Sequence, residues 1–243
     1  MTTTIYNGRL GNQIIRNIAV SIIAEKHDLY VNYCNFNLIN EQLGIILFSG
    51  KNIYSNSILL HDNNYHDILQ ASEFLYNLNP NENFFQTKEI SQLIHNYLHR
   101  DNIKTNIINK NPFKHRYNNN NDLYIHIRLT DTVQWNPGIN YYLNSISKIS
   151  FDNIYLSTDD INDNIIKQII NTHSQCKIIT YNEINTIQFA STCKHIILSH
   201  GSFSATIGNL SFFSTIYYPK FETNKIWYGD MFSIDGWIKN EDF

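Results

Sequence analysis

The second half of the chain alternates short apolar runs with stretches of helical spacing, and this alternation constrains the fold more than any other feature. Strands that alternate with helices of this length form βαβ units and a parallel sheet. The apolar runs are Leu123–Arg128, Asn153–Ser157, Cys176–Ile179, His195–Leu198 and Ser214–Tyr217, and the helical stretches are Tyr141–Ile149, Ile161–Ile170, Ile184–Cys193 and Phe203–Phe212. The pattern predicts the α/β class, with ligands bound beyond the carboxyl ends of the strands.

The amino-terminal residues show the same pattern once. Thr2–Tyr6 and Leu29–Tyr33 are predicted strands, and the residues between them carry Ile and Ala every three or four positions, which predicts a helix with one apolar stripe. Between the first strand and this helix, Gly8-Arg9-Leu-Gly11-Asn12-Gln13 forms a turn with two glycines. Such a turn allows close approach of a ligand, and the following helix start favours an anion. A tight connection without a ligand is the alternative.

Residues 34–117 are polar, and helices are predicted there only at Ala71–Leu78 and Glu89–Leu98. The Asn-rich stretch Tyr117–Asp122 is the expected linker between two lobes. This predicts an amino-terminal domain of residues 1–121 and a carboxyl-terminal domain of residues 122–243.

Composition excludes several classes of protein. The 243 residues carry 18 Lys and Arg against 21 Asp and Glu, a net charge of −3, which argues against a nucleic-acid partner. No apolar run approaches the roughly 18 residues that span a membrane, and no basic segment followed by an apolar one marks a signal peptide. The chain has three cysteines and no CxxC motif. An odd, sparse set of cysteines is typical of a protein in a reducing compartment without a disulfide framework. We therefore expect a cytoplasmic protein without a transmembrane segment.

The segment His126-Ile-Arg128-Leu-Thr-Asp131 ends the strongest predicted strand. His126 and Arg128 share one face, because side chains alternate along a strand. An arginine at the carboxyl end of a parallel strand can hold a phosphate through its planar guanidinium, and His126 could contact a base, a sugar or a phosphate. The alternative is an ion pair between Arg128 and Asp131 that closes the turn.

Polar residues follow two further strands. In Ser157-Thr-Asp159-Asp160, the adjacent carboxylates could hold a divalent metal for a sugar nucleotide, or they could cap a helix beginning near Ile161. After the fourth predicted strand of this half, small and hydroxyl residues open a helix and could seat a phosphate on its N–H groups. Those residues are His200, Gly201, Ser202, Phe203 and Ser204. Simple capping by serine is the alternative there. Together the motifs indicate a phosphorylated ligand such as a nucleotide sugar.

In order and spacing these motifs resemble those of the GDP-fucose-dependent fucosyltransferases, in particular the α-1,2-fucosyltransferases of glycosyltransferase family 11. Four segments carry the resemblance. They are Gly8–Gln13 (family G-x-L-G-N-Q), His126–Asp131 (H-x-R-R-x-D, followed by tandem tyrosines as at Tyr141-Tyr142), Tyr155–Ile161 (S-x-D-D-I), and Phe189–His195 with Ser202–Ser204 (M-S-x-C-K-H…S-x-F-S). The chain departs from the family pattern at three places. Leu129 stands where the family has a second arginine, and Ala205-Thr206 stand where it often has a tryptophan pair. The dipeptide Thr130-Asp131 is more similar to the motif of the related α-1,6-fucosyltransferases.

The resemblance implies a GT-B-like fold of two Rossmann-like lobes with a cleft between them. It implies that the amino-terminal lobe takes a glycan acceptor and the carboxyl-terminal lobe the GDP-sugar donor. The reaction would transfer fucose from GDP-fucose to a glycan hydroxyl with inversion at C1, in α-1,2 linkage, without a metal or other cofactor. Peripheral membrane contact through a lipid-linked acceptor stays open.

The resemblance also implies residue roles. Arg128 and the Ser202–Ser204 cradle would stabilise the departing diphosphate, and Asn12 would lie near the diphosphate or the acceptor. His126 and Glu183 (or Asn185) are candidates for guanine or ribose contacts. Asp131 is the nearest carboxylate for a general base, although pairing with Arg128 would make it a poor one. The alternatives are transfer of another GDP-linked sugar, rhamnose or mannose, and a non-catalytic protein that binds nucleotide sugars.

Overall fold

The computed structural model describes residues 1–220 and 229–240. These residues fall into two compact units, residues 1–110 with 229–231 and residues 111–220 with 232–240. The predicted boundary after residue 121 differs from this division, because the expected linker packs with the second unit. The Tyr117 hydroxyl lies 3.2 Å from Ser191 Oγ, and Asn120 Nδ2 donates to Thr192 O at 2.9 Å.

The first unit contains short parallel strands and the helices that cover them. In chain order these are β1 (Thr2–Thr3), α1 (Leu10–His27), β2 (Val31–Asn32), β3 (Ser57–Leu59), α2 (Tyr65–Gln70), β4 (Asn77–Asn79), α3 (Lys88–Leu98) and α4 (Asp101–Lys110). Strand β1 pairs with β2 and β3 pairs with β4, both in parallel. Leu78 N donates to Thr2 Oγ1 at 2.8 Å and Asn81 Nδ2 donates to Thr3 O at 3.1 Å, which aligns β4 beside β1 in the same direction.

Two local predictions for this unit are wrong. Ala71–Leu78 is not a helix; α2 ends at Gln70, and Asn77–Asn79 pairs with β3 instead. Side-chain hydrogen bonds of Asn77 to Tyr54 favour this pairing over local helix propensity. The strand predicted at Thr2–Tyr6 stops at Thr3. The predicted helix at Glu89–Leu98 is confirmed as α3.

The second unit contains a six-stranded parallel sheet, which confirms the α/β fold class. Its elements are β5 (Leu123–Ile127), α5 (Ile139–Ser147), β6 (Ile154–Thr158), α6 (Asn164–Thr172), β7 (Lys177–Ile178), α7 (Glu183–Ala190), β8 (His195–Ile197), α8 (Ser202–Asn209), β9 (Thr215–Pro219) and β10 (Ile238–Asn240). The strand order is β10-β9-β8-β5-β6-β7. Counted from β5, this is the 6-5-4-1-2-3 order of the Rossmann fold.

Apolar packing on the sheet positions its carboxyl edge. Leu123, Ile125 and Ile127 of β5 are fully buried in a cluster with the tandem tyrosines Tyr141 and Tyr142 of α5. Continuous apolar runs of this kind are expected for strands covered on both faces. The rigid centre of the sheet therefore fixes the residues that follow β5 and β8.

Candidate active site

The strand order changes direction between β5 and β8, and the two strands are direct neighbours in the sheet. After β5 the chain continues with Arg128, and after β8 it continues through His200 and Gly201 into α8. In open α/β sheets the carboxyl ends of the strands at such a switch form the ligand crevice. The structure thus brings two of the predicted motifs to the same place, although the chain separates them widely.

Arg128 lies along the start of α8. A Cβ atom added to Gly201 would lie 3.5 Å from Arg128 Cδ, and Gly201 has φ of 88°, a left-handed conformation that favours glycine. Arg128 Nη2 donates to Asp131 Oδ1 at 2.8 Å, and Nε donates to Thr132 Oγ1 at 2.9 Å. The ion pair considered as the alternative is therefore present. The Arg128 side chain is 14% exposed and the Asp131 side chain 51%, so solvent screens this pair.

The first turn of α8 provides N–H donors beside Arg128. The first helical hydrogen bond runs from Ala205 N to Gly201 O at 3.2 Å. The N–H groups of Ser202, Phe203 and Ser204 precede it and have no acceptor within the helix. Such a helix start, together with a cationic side chain, has the electrostatics of an anion site.

His126 supports this turn from the sheet. Its Nδ1 atom lies 2.5 Å from Ser204 Oγ, and its ring packs on Phe203 with centroids 5.1 Å apart. Burial lowers the pKa of His126 to about 3, with nearby Arg128 acting in the same direction and Asp159 opposing it. His126 is therefore a neutral ring at physiological pH.

Asp159 holds the turn that follows β5. Its Oδ1 accepts from Leu129 N at 2.7 Å, and its Oδ2 accepts from Thr130 Oγ1 at 2.6 Å. Burial raises the pKa of Asp159, but these hydrogen bonds and the charge of Arg128 outweigh it, so the pKa lies below its usual value. Asp159 is therefore ionised, and its hydrogen bonds hold in place the segment that carries Arg128.

The predicted capping role of Asp159 or Asp160 is wrong. Helix α6 begins at Asn164 rather than Ile161, and Asp163 caps it by accepting from Ile165 N at 2.7 Å. Asp160 Oδ1 instead accepts from Asn162 N at 2.9 Å and closes a turn. Ser157, predicted to bind substrate, is buried and hydrogen-bonded to the Tyr124 hydroxyl inside the sheet.

A buried hydrogen-bond chain that sequence reasoning missed links the two sides of the switch. Thr132 Oγ1 lies 2.8 Å from His200 Nε2, and His200 Nδ1 lies 3.2 Å from Ser199 Oγ. Tyr142 donates its hydroxyl to Ser199 Oγ at 2.9 Å, and Asn136 Nδ2 donates to Arg128 O at 2.9 Å. The tandem tyrosines were the sequence signal, but their partners are distant in the chain.

His200 is buried within this chain of hydrogen bonds. Burial, together with the positive charge of Arg128, lowers the pKa of His200 to about 4. A neutral His200 can accept from Thr132 and donate to Ser199. It therefore positions Thr132, to which Arg128 Nε donates.

We expect the stability of the protein to fall as the pH decreases from 6.5 toward 4, because both buried histidines stay neutral in the folded state. The unfolded chain protonates each near pH 6.5, whereas the folded chain does so only near pH 3 for His126 and pH 4 for His200. The unfolded state binds more protons in this window, so each histidine lowers the free energy of unfolding by roughly 1 kcal/mol per pH unit. Urea unfolding at several pH values measures the slope.

His126→Asn keeps a polar partner for Ser204 and is expected to flatten that pH slope. The exposed His115 provides the control, since His115→Asn should leave the slope unchanged. Equal slopes for the wild type and both variants would contradict the assignment of a neutral buried His126.

In the first unit, the glycine turn after β1 is built against Asn12. Gly8 has φ of 80°, and a Cβ atom there would lie 2.5 Å from Asn12 Nδ2. Asn12 Oδ1 accepts from Gln86 Nε2 at 2.9 Å, and Gln13 Nε2 donates to Gly8 O at 2.7 Å. The turn is therefore held by side chains, and Gln86 is a residue of this cluster that the sequence did not indicate.

Three further predicted residues lie at helix starts. Arg9 is exposed and precedes α1, and Gly11 is buried in its first turn. Glu183 is exposed at the first position of α7. Asn182 caps that helix by accepting from Asn185 N at 2.8 Å. The proposed roles of Glu183 and Asn185 stay predictions.

Within residues 1–220 and 229–240, no group of three or more His, Cys, Asp and Glu side chains converges as metal ligands do. The independence from metal stays a prediction. In the same part of the chain, no helix has the length and hydropathy that crossing a bilayer requires.

Comparison with known proteins gives matches among solved structures. No protein-family model matches the chain, and no curated protein matches it. Among solved structures, the chain is similar to a mutant of Arabidopsis thaliana FUT1 in complex with GDP, with a TM-score of 0.47 and 9% sequence identity. The match covers 92% of this chain and 71% of that chain.

Proposed function

We propose that the chain is an inverting glycosyltransferase that transfers fucose from GDP-fucose to a hydroxyl of a glycan acceptor, in α-1,2 linkage. The observation that carries the proposal is the position of Arg128, which lies against Gly201 at the amino end of α8, where the strand order of the sheet reverses. A guanidinium and a helix start at this point match the charge and geometry of a nucleoside diphosphate.

The proposed chemistry uses this cationic site in place of a metal. As the bond between the sugar C1 and the diphosphate oxygen breaks, negative charge grows on the leaving GDP. Arg128 and the N–H groups of Ser202–Ser204 stabilise that charge. The acceptor hydroxyl attacks C1 from the opposite face, which inverts the configuration, and its proton passes to solvent water as the new C–O bond forms.

The identity of residue 129 determines how many arginines of this turn can contact the diphosphate. Leu129 occupies the place of the second arginine in the motif that the segment resembles, and it is 2% exposed in the apolar core beneath the sheet edge. In this turn the phosphate contact therefore falls to Arg128. Asp131, which pairs with Arg128, then orients the guanidinium rather than acting as a base.

A thermal-shift titration with nucleotides and nucleotide sugars tests the proposal. We expect GDP and GDP-fucose to stabilise the protein by about 2.7 kcal/mol at 100 times their dissociation constant, and UDP-sugars to have no comparable effect. Hydrolysis of GDP-fucose, GDP-mannose and GDP-rhamnose, each measured with and without EDTA, distinguishes the donor sugar and the need for a metal. Failure of all guanine nucleotides to bind would overturn the proposal, and GDP binding without turnover of any donor would favour the non-catalytic alternative.

A cytoplasmic location, the α-1,2 linkage and independence from metal all belong to this proposal as predictions. The GT-B arrangement of donor and acceptor lobes does as well. The donor assays address the sugar and the metal, and analysis of the transferred product by NMR gives the linkage.

A further inference from the structure

The first unit contains a polar pocket that lies outside the nucleotide site. Its volume is about 360 Å³, and its lining residues are His61, Asp62, Asn63, Asn64 and Asn83. Four of them follow β3, and Asn83 comes shortly after β4, so the pocket lies at the carboxyl ends of two paired parallel strands. Ligands of α/β proteins bind at this end. Because each lining side chain is polar, the pocket suits a ligand rich in hydrogen-bonding groups.

Asp62 contributes an acceptor that the fold does not satisfy. Its Oδ1 atom is buried and has no hydrogen-bond partner in the described part of the chain. Burial raises the pKa of this carboxyl, and the nearby Phe85 N–H opposes that shift. Phe85 is fully buried with φ of 55°, a conformation that is costly for a residue with a side chain. The carboxylate thus has one buried oxygen that the described part of the chain leaves free to accept from a ligand.

The remaining lining residues supply donors and a fixed frame. Asn83 Nδ2 lies 2.6 Å from His61 Nδ1, and with Asn83 as donor the ring carries its proton on Nε2. Asn64 accepts from His61 N at 2.7 Å and donates to Leu59 O at 2.9 Å, which fixes the turn after β3. Asn63 is exposed, so its amide is accessible to a ligand.

The charge of the pocket selects the class of ligand. A phosphate or carboxylate would be repelled by Asp62. A divalent cation prefers several oxygen ligands, usually including more than one carboxylate, and Asp62 is the single carboxylate of the lining. A neutral polyol can donate hydroxyls to Asp62 Oδ1 and accept from the imidazole and amides.

We infer that this pocket binds a neutral saccharide. Its identification as the acceptor glycan rests on the proposed function, whereas binding of the saccharide does not.

Saturation-transfer NMR on the full chain tests binding directly. The probes are methyl glycosides of galactose, glucose, mannose and N-acetylglucosamine together with lactose, each at about 10 mM, which detects dissociation constants in the millimolar range. We expect signal from at least one probe, and loss of at least tenfold in its affinity in Asp62→Asn. The exposed Asp67 of α2 provides the matched control, Asp67→Asn, with unchanged binding. Absence of signal from every probe, or equal affinities in the two variants, would overturn the inference.

A second variant avoids dependence on a buried side chain. Asn63→Trp places a large ring at an exposed lining position, and we expect it to block saccharide binding while circular dichroism and the melting temperature stay as in the wild type.

For transfer to the bound saccharide, Asp62→Asn should raise the acceptor KM about tenfold and leave hydrolysis of GDP-fucose within twofold of wild type. If GDP-sugars are neither bound nor hydrolysed but Asp62-dependent saccharide binding persists, the proposed function is wrong and the inference of a saccharide pocket is retained. If donor hydrolysis is present but no saccharide binds, only the inference of a saccharide pocket is wrong.

Discussion

Replacing Arg128 by alanine is expected to lower the kcat for donor turnover by about 10²–10³, or roughly 3–4 kcal/mol of transition-state stabilisation. The guanidinium lies at the strand-order switch beside Gly201, and Thr132 and Asp131 hold it there before any ligand binds. Such preorganisation matters because the charge on the leaving diphosphate develops only as the bond breaks. Steady-state hydrolysis of GDP-fucose measures the effect.

Two further variants make this experiment specific. Arg128→Lys retains the charge but loses the planar fork, so we expect activity between those of wild type and alanine. Arg100, whose side chain is 45% exposed and pairs with Glu25 on the surface, is the control, and Arg100→Ala should turn over as the wild type does. Near-normal turnover by Arg128→Ala, with protein that remains folded, would refute the role of this residue.

Replacing Arg16 by methionine is expected to destabilise the protein by about 3 kcal/mol or more, because it removes the fully buried guanidinium that donates to three backbone carbonyl groups. Arg16 lies in α1 with no exposed surface, and burial lowers the pKa of its guanidinium. It donates to Asn7 O at 2.9 Å, to Asn83 O at 3.3 Å and to Ile5 O at 3.4 Å. These bonds connect the segment after β1 to the segment after β4.

Urea unfolding followed by far-UV circular dichroism measures this loss of stability. Lys26→Met, at an exposed position of the same helix, is the control and should change the free energy of unfolding by less than about 0.5 kcal/mol. If Arg16→Met unfolds at the same urea concentration as this control, Arg16 does not hold the two segments together.

The bonds of Arg16 also explain why the first predicted strand is short. Beyond Thr3, the carbonyls of Ile5 and Asn7 accept from the Arg16 side chain, and Ile5 N donates to Asn81 Oδ1 at 3.1 Å. These groups are consequently satisfied without a neighbouring strand. The apolar and β-branched residues at Thr2–Tyr6 predicted a longer strand, but they carry no information about which partner the backbone finds.

The positions of the acidic residues after β6 show the same limit. By sequence, Asp159 and Asp160 are the candidate caps, because they precede the run of helical spacing that begins at Ile161. In the structure Asp163 caps α6, while Asp159 accepts from Leu129 and Thr130 across the neighbouring strand end. Whether a carboxylate caps its own helix or clamps another loop depends on strand neighbours, which local spacing does not encode.

The sequence by itself determined the parallel α/β character of the second unit, because the spacing of apolar residues between Leu123 and Tyr217 alternates between that of a strand and that of a helix. It also placed Arg128 and the Ser202–Ser204 turn at strand and helix ends. Only the tertiary structure decided that β5 and β8 are neighbours and that Asp62 and Asn83 line one pocket. The reason is physical: burial and hydrogen bonds between residues far apart in the chain select these contacts, and no local pattern fixes them.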